Sequence, residues 1–209
     1  MKCRILIPAF LIVTASVSVA KADITVSTTH NDDIYYLGVS DTQTYGQTFL
    51  ALGSTLRSYS FNLNNFGTTD QDFGFYVGSW SGSGVGSILF SQSLSIAAGS
   101  GDLDFTLNPM LALTTGSEYI AFISTSDYSQ RADSLISQAG SNDSYSDGQF
   151  LYINNGTDTS QWYGNNWSSW TVPQSAFRAT FATGSVPAPG AVLPMVCGLI
   201  GLARRSRKR

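Results

Sequence analysis

Nucleophilic catalysis by serine or cysteine needs a positioned base, usually histidine, beside the nucleophile. The chain has one histidine, His30, and its two cysteines, Cys3 and Cys197, stand near its ends. His30 lies in the polar run Thr28-Thr29-His30-Asn31-Asp32-Asp33, which reads as an exposed, mobile segment. A lone histidine also speaks against a zinc site, which draws on several His or Cys ligands. Glycoside hydrolysis needs only two carboxylates facing across a sugar, and the chain has thirteen aspartates and Glu118. No pair stands out. Glu118 opens an alternating strand after the Thr115-Gly116 turn, with solvent as its expected neighbour. Asp70 and Asp72, like Asp102 and Asp104, sit two apart, so each pair shares a strand face and forms its polar side. The reading is of a protein that is not an enzyme and carries no cofactor.

Two further clusters bear on ligands. Asp143-Ser144-Tyr145-Ser146-Asp147-Gly148 has Asp at positions one and five and Gly at six of a calcium loop, but Tyr145 at three and Asn154 where the bidentate Glu belongs. As an EF-hand it fails; Asp143 and Asp147 stand as a weak calcium site against a plain polar turn. Trp162, Tyr163, Trp167 and Trp170 crowd into ten residues. Exposed, they would stack on sugar rings as a glycan platform; buried, they would close one end of a core, each indole N–H finding a local acceptor. Asn142, Asn155 and Asn166 each head an Asn-x-Ser/Thr sequon.

The elements that must position these residues follow a period of two. Ser58 to Asn64 alternates polar and apolar without exception, and Asp102 to Asn108 repeats the pattern. Tyr45–Ala51, Asp72–Val77, Ser87–Leu94, Glu118–Ser124, Gln149–Ile153 and Ala176–Phe181 are further strands, separated by Gly, Asn and Pro turns. No stretch of the body holds a helical period. The expectation is an all-β fold, an antiparallel β-sandwich of jelly-roll type, with an up-and-down barrel as second choice.

The charge is unevenly placed. Lys2, Arg4 and Lys21 precede the body and five cations follow it, so residues 23–185 keep Arg57, Arg131 and Arg178 against all fourteen acids, a net charge of −11. Such a surface repels phosphate backbones, so nucleic acid is excluded as a partner. This body of 163 residues contains no cysteine and must hold together without a disulfide. At that size it buries on the order of two-thirds of its unfolded surface.

The two ends read as addresses. Met1 to Arg4 is basic, Ile5 to Ala20 is uncharged, and Ala20-Lys21-Ala22 places small residues where signal peptidase reads, so residues 1–22 are expected to be a signal peptide cleaved after Ala22. Pro8 interrupts the apolar run and argues against a retained anchor. At the other end Pro187-Ala188-Pro189-Gly190 precedes an uncharged stretch from Ala191 to Ala203, and Arg204, Arg205, Arg207, Lys208 and Arg209 close the chain. The apolar stretch is short of the roughly 20 residues of a comfortable span. The cluster would be held on the cytoplasmic side and the body outside it. A buried C-terminal strand with a basic end is the alternative.

This layout resembles the bacterial PEP-CTERM proteins, whose tails are processed by exosortases in the inner membrane. The resemblance covers Val186 to Arg209, with Ala188 in place of the usual central Glu; a generic tail anchor is the other reading. The body is also similar to a recurrent passenger of such proteins, in Gln47-Thr48-Phe49, Tyr119-Ile120-Ala121-Phe122, Ser160-Gln161-Trp162 and Ala176 to Phe181. The resemblance implies three parts: a leader, a β-sandwich body over 23–185 and a sorting tail over 186–209 with a hydrophobic helix. It further implies passage through the inner membrane, signal peptidase and exosortase as partners, and a secreted or cell-surface destination. The expected function is that of a structural protein of the extracellular matrix, with a carbohydrate-binding module on polysaccharide as the alternative.

Overall fold

A computed structural model describes residues 22–38, 42–129, 135–170 and 173–183. The leader with Ala20, the motif Pro187, Ala188, Pro189 and Gly190, and the cations Arg204, Arg205, Arg207, Lys208 and Arg209 lie outside the described residues. Residues 22–184 form one compact unit. Its strands are β1 (Asp23–Ser27), β2 (Asp32–Leu37), β3 (Thr44–Leu50), β4 (Thr55–Asn65), β5 (Gln71–Trp80), β6 (Val85–Ile96) and β7 (Gly101–Leu107). They continue as β8 (Leu111–Ala112), β9 (Glu118–Ser124), β10 (Ile136–Ser141), β11 (Phe150–Ile153), β12 (Ser168–Trp170), β13 (Gln174–Ser175) and β14 (Phe177–Ala182). No α-helix occurs among the described residues.

The strands form two antiparallel sheets. One contains eight strands, with β1, β14, β4, β10 and β13 in line, β2 on β10, and β7 and β8 on β4; the other runs β12-β11-β3-β9-β5-β6. The chain is therefore an all-β sandwich, as its two-residue period implies. The alternation in β4 directs Tyr59, Phe61 and Leu63 inward, and β7 lies beside it with Leu107, Phe105 and Leu103 in register. On the outer face the polar partners meet: Asn62 donates to Asp104 and Asn64 to Asp102, each at 3.1 Å, and Ser60 lies 3.0 Å from Thr106. The Asp102/Asp104 pair is thus held by amides on a wet sheet face.

Aromatic rings fill the space between the sheets. Phe61 stacks on Phe75 and Phe105, Tyr59 stacks on Phe177, and Phe49 packs against Tyr59, Tyr119 and Phe181. Burial of one such side chain contributes roughly 1.5–3 kcal/mol.

Two expectations are corrected here, and one strand is added. Glu118–Ser124 does not alternate between core and water: Glu118 is exposed, but every residue from Tyr119 to Ser124 is buried. A second apolar layer on the outer face of the six-stranded sheet, with Tyr76, Ile120, Phe122, Leu151, Ile153 and Trp162, covers the side that would otherwise face solvent. Thr28–Asp33 is not a mobile run. Thr28 N–H donates to the Phe177 carbonyl at 3.0 Å, Asn31 N–H to that of Gly140 at 3.1 Å, and Asp32 begins β2, which pairs with β10. β10, Ile-Ser-Gln-Ala-Gly-Ser, is wholly buried although its composition is that of a loop. Part of its polar surface is paired inside: Gln138 Nε2 donates to Ser175 Oγ at 2.5 Å, and Ser175 N–H donates to Gln47 Oε1 at 3.0 Å, while Gln138 Oε1 is buried without a hydrogen-bond partner.

The two ends of the body meet. β1 pairs with β14 from Asp23 opposite Ala182 to Ser27 opposite Arg178, Thr183 Oγ1 donates to the Ala22 carbonyl at 3.0 Å, and Arg57 lies 3.2 Å from Asp23.

Candidate functional site

The aromatic segment is positioned by one turn of 3-10 helix, Thr159–Tyr163. Asp158 caps it, accepting from Ser160 N–H at 3.1 Å, from the Ser160 hydroxyl at 2.5 Å and from Gln161 Nε2 at 3.0 Å. These bonds, the Ser160 hydroxyl foremost, hold its carboxyl below the ordinary aspartate range. The turn lays Trp162 on the outer face of the six-stranded sheet, 3% exposed, with ring centroids 5.0 Å from Tyr76 and 5.1 Å from Phe122. Its Nε1 donates to Thr44 Oγ1 at 3.3 Å. That hydroxyl donates to Asn155 Oδ1 at 2.9 Å and lies 2.7 Å from Ser124 Oγ, while Ser126 also donates to Asn155 Oδ1. Trp162 is therefore fastened at its polar tip to a buried network joining β3, β9 and the turn after β11.

The other rings divide. Trp167 is half-buried, its Nε1 donates to the Trp162 carbonyl at 2.8 Å, and it packs edge-on against Trp80 and Phe122. Trp170, on β12, leans on Phe150 and Tyr152 and is 39% exposed, and Tyr163 is exposed. Trp162 and Trp167 roof the outer face of the six-stranded sheet, whereas Trp170 lies against Phe150 and Tyr152, which belong to the core on the other face. Trp162, with both faces covered, offers no surface to a sugar ring.

Asp143 and Asp147, the two acids of the calcium-loop spacing, have different neighbours. Asp143 Oδ2 accepts the Thr29 N–H at 2.9 Å, a bond that holds its carboxyl below the usual range and ties the β1–β2 connection down. Asp147 lines a shallow groove with Glu118, Ser146 and Gly148. Among the described residues no group of three His, Cys, Asp or Glu side chains gathers as a cation set. His30 is exposed, with Nε2 3.3 Å from Asp33 Oδ1. Of the three sequon asparagines, Asn142 and Asn166 are exposed, but Asn155 is buried and donates through Nδ2 to the Asp158 carbonyl at 2.9 Å.

Two surface features escape the sequence reading. Tyr35, Tyr36 and Phe66 form an aromatic cluster with ring centroids 5.7 to 6.4 Å apart, although 49%, 48% and 43% exposed. Tyr35 Oη donates to Asp33 Oδ2 at 3.1 Å, and that bond raises its pKa. The signal for it was present in Asn65-Phe66-Gly67, where a large ring occupies a turn with nothing local to cover it. The second feature is a groove of about 450 Å³ on the eight-stranded sheet, lined by His30, Asn62, Asp104 and Arg178 among hydroxyls. Its polar groups suit hydroxylated ligands.

No protein-family model matches the chain, and no curated protein matches its sequence. Among solved structures it is similar to a clostridial cysteine protease after propeptide cleavage, with a TM-score of 0.49 and 11% identity, covering 78% of this chain. The chain spans 40% of that protease's length.

Proposed function

We propose that this chain is an exported structural protein of a bacterial cell surface or extracellular matrix, with a sandwich of jelly-roll type as its body. Signal peptidase removes its leader, and an exosortase of the inner membrane reads Pro187, Ala188, Pro189 and Gly190, with Arg204, Arg205, Arg207, Lys208 and Arg209 as the retention signal. The body acts by its bulk and acidity, without catalysis. The observation that supports this reading is the extent of the folded unit. It fills the stretch between leader and tail, its first strand begins at Asp23, directly after Ala22, and its last strand ends at Ala182. Neither flanking segment is needed to complete the sandwich. Cell fractionation with intact-mass measurement tests the reading. Changing Pro187 and Pro189 to Ala should leave a heavier precursor in the inner membrane, and ending the chain after Ser185 should free the body. Identical mass and fractionation of the unaltered and Pro-substituted proteins would refute exosortase processing.

A second reading, a carbohydrate-binding module on polysaccharide, is favoured by the exposed cluster of Tyr35, Tyr36 and Phe66. It moves the sugar-stacking surface away from Trp162, with Tyr163 and Trp170 the exposed rings of the aromatic segment.

A further inference from the structure

The ends of the six-stranded sheet differ. At one end stands β12, three residues long; at the other stands β6, twelve residues long, paired on one side with β5 and on the other with no strand among the described residues. An open edge of this kind is a template for another strand, and proteins usually blunt it with charge, proline or bulges. The eight-stranded sheet does so with charge, Asp23 on its edge strand β1 and Asp102 and Asp104 on β7. β6 has neither a charged residue nor a proline. Register shifts interrupt its pairing with β5 near Gly78, but from Phe90 to Ile96 it matches Val77 to Gln71 residue for residue. Seven regular, neutral edge residues thus lie on a body of net charge −11.

The flank beside this edge is apolar. Phe90 and Leu94 point inward and are partly buried against the core, and across the mouth of the sandwich Phe105 is likewise partly buried while Leu103 is 38% exposed. Ring centroids of Phe75 and Phe90 lie 6.2 Å apart and those of Phe73 and Phe105 5.5 Å, so both edges close over the same part of the core. Ser91, Ser93 and Ser95, all exposed, occupy the other face of β6.

We propose that Phe90–Leu94 pairs antiparallel with the same segment of a second copy of this chain, about a two-fold axis at Gln92. The segment is self-complementary in that register. Phe90 falls opposite the second copy's Leu94, Ser91 opposite its Ser93, and Gln92 opposite itself, so apolar meets apolar on the inner face and hydroxyl meets hydroxyl on the outer. No like charges oppose one another, whereas pairing through β7 would set acids on both copies near each other. The six-stranded sheet then runs continuously through two bodies and the rims at Phe90 and Leu94 are covered. The inference is independent of what the tail does.

The body from Ala22 to Gly184, which holds its whole core between β1 and β14, is the protein to test, by sedimentation equilibrium. It should show a reversible monomer–dimer equilibrium with a dissociation constant below about 1 mM. Gln92→Lys and Gln92→Glu, at an exposed position, should each keep the melting temperature and weaken the dimer at least about tenfold, because each sets like charges opposite at the axis. An equimolar mixture of the two should restore association as a one-to-one heterodimer, which loss of fold would not produce. A wild-type body monomeric to about 1 mM would leave the edge to some other chain and overturn the proposal. Single variants that dimerise like the wild type, or folded variants whose mixture stays monomeric, would overturn it too.

Discussion

Replacing Trp162 with alanine removes the most deeply buried ring of the roof over the six-stranded sheet. Its neighbours Tyr76 and Phe122 have their own strand partners and cannot collapse far into the space left, since β5 and β9 are locked in register from Gly74 opposite Ser124 to Ser79 opposite Tyr119. Truncation of a large buried side chain in such a setting costs about 3–5 kcal/mol. For a body of this size that lowers the melting temperature by about ten degrees or more. Trp162→Phe keeps the ring contacts and loses only the N–H to Thr44, whose hydroxyl retains Ser124 and Asn155, so it should cost about 1–2 kcal/mol. Trp170→Ala, at a half-open edge position, should cost less than Trp162→Ala. Calorimetry gives the three values, and near-ultraviolet circular dichroism reports whether the remaining rings stay ordered. A Trp162→Ala body that melts within a degree or two of wild type would refute the argument that the roof is a second core.

Acid should weaken the body in a defined window. Asp143 and Asp158 have carboxyls held below their ordinary values in the fold, so each stabilises it fully above the unfolded aspartate pKa of about 4 and progressively less as pH falls through the lower folded value. Asp143→Asn with Asp158→Asn should flatten the decline of melting temperature below pH about 4, and equal slopes would contradict that assignment. If Tyr35, Tyr36 and Phe66 bind polysaccharide, affinity electrophoresis should show retardation that is lost in a Tyr35→Ala, Tyr36→Ala variant with an unchanged melting temperature; no retardation on any neutral glucan, mannan or galactan gel would dispose of the sugar surface.

What the sequence made legible was whatever local periodicity encodes. β4 and β7 could be read because their outer face is wet: polar residues at every second position are a solvent signal, and the same residues proved to be hydrogen-bonded across the strands. β9 was read with one face toward solvent because nothing within Glu118–Ser124 reveals that Trp162, some forty positions later, covers it. β10 was invisible for the opposite reason. Its Ser137, Gln138 and Ser141 are buried, and burial of polar side chains is set by partners such as Ser175, which lie far away in sequence. Asp143 and Asp147 shared a spacing but not a neighbourhood, since a loop spacing says nothing of which backbone amide a carboxylate meets. The Tyr35–Tyr36–Phe66 cluster joins rings about thirty residues apart, a proximity created only by the pairing of β2 and β4 with β10.

The seam between β1 and β14 also fixes an order in time. Among the described residues β1 has one partner strand, and that partner is the last strand of the body. Synthesis delivers the N-terminal end first, so Asp23–Ser27 must wait as a single unpaired strand until nearly the whole body has followed it. Closing a loop of that length is among the slowest contacts a chain can make. Once Phe177–Ala182 arrives, the Ala22 carbonyl is drawn against the Thr183 hydroxyl at the edge of a finished sheet. The last strand of the body thus closes the seam that its first strand leaves open.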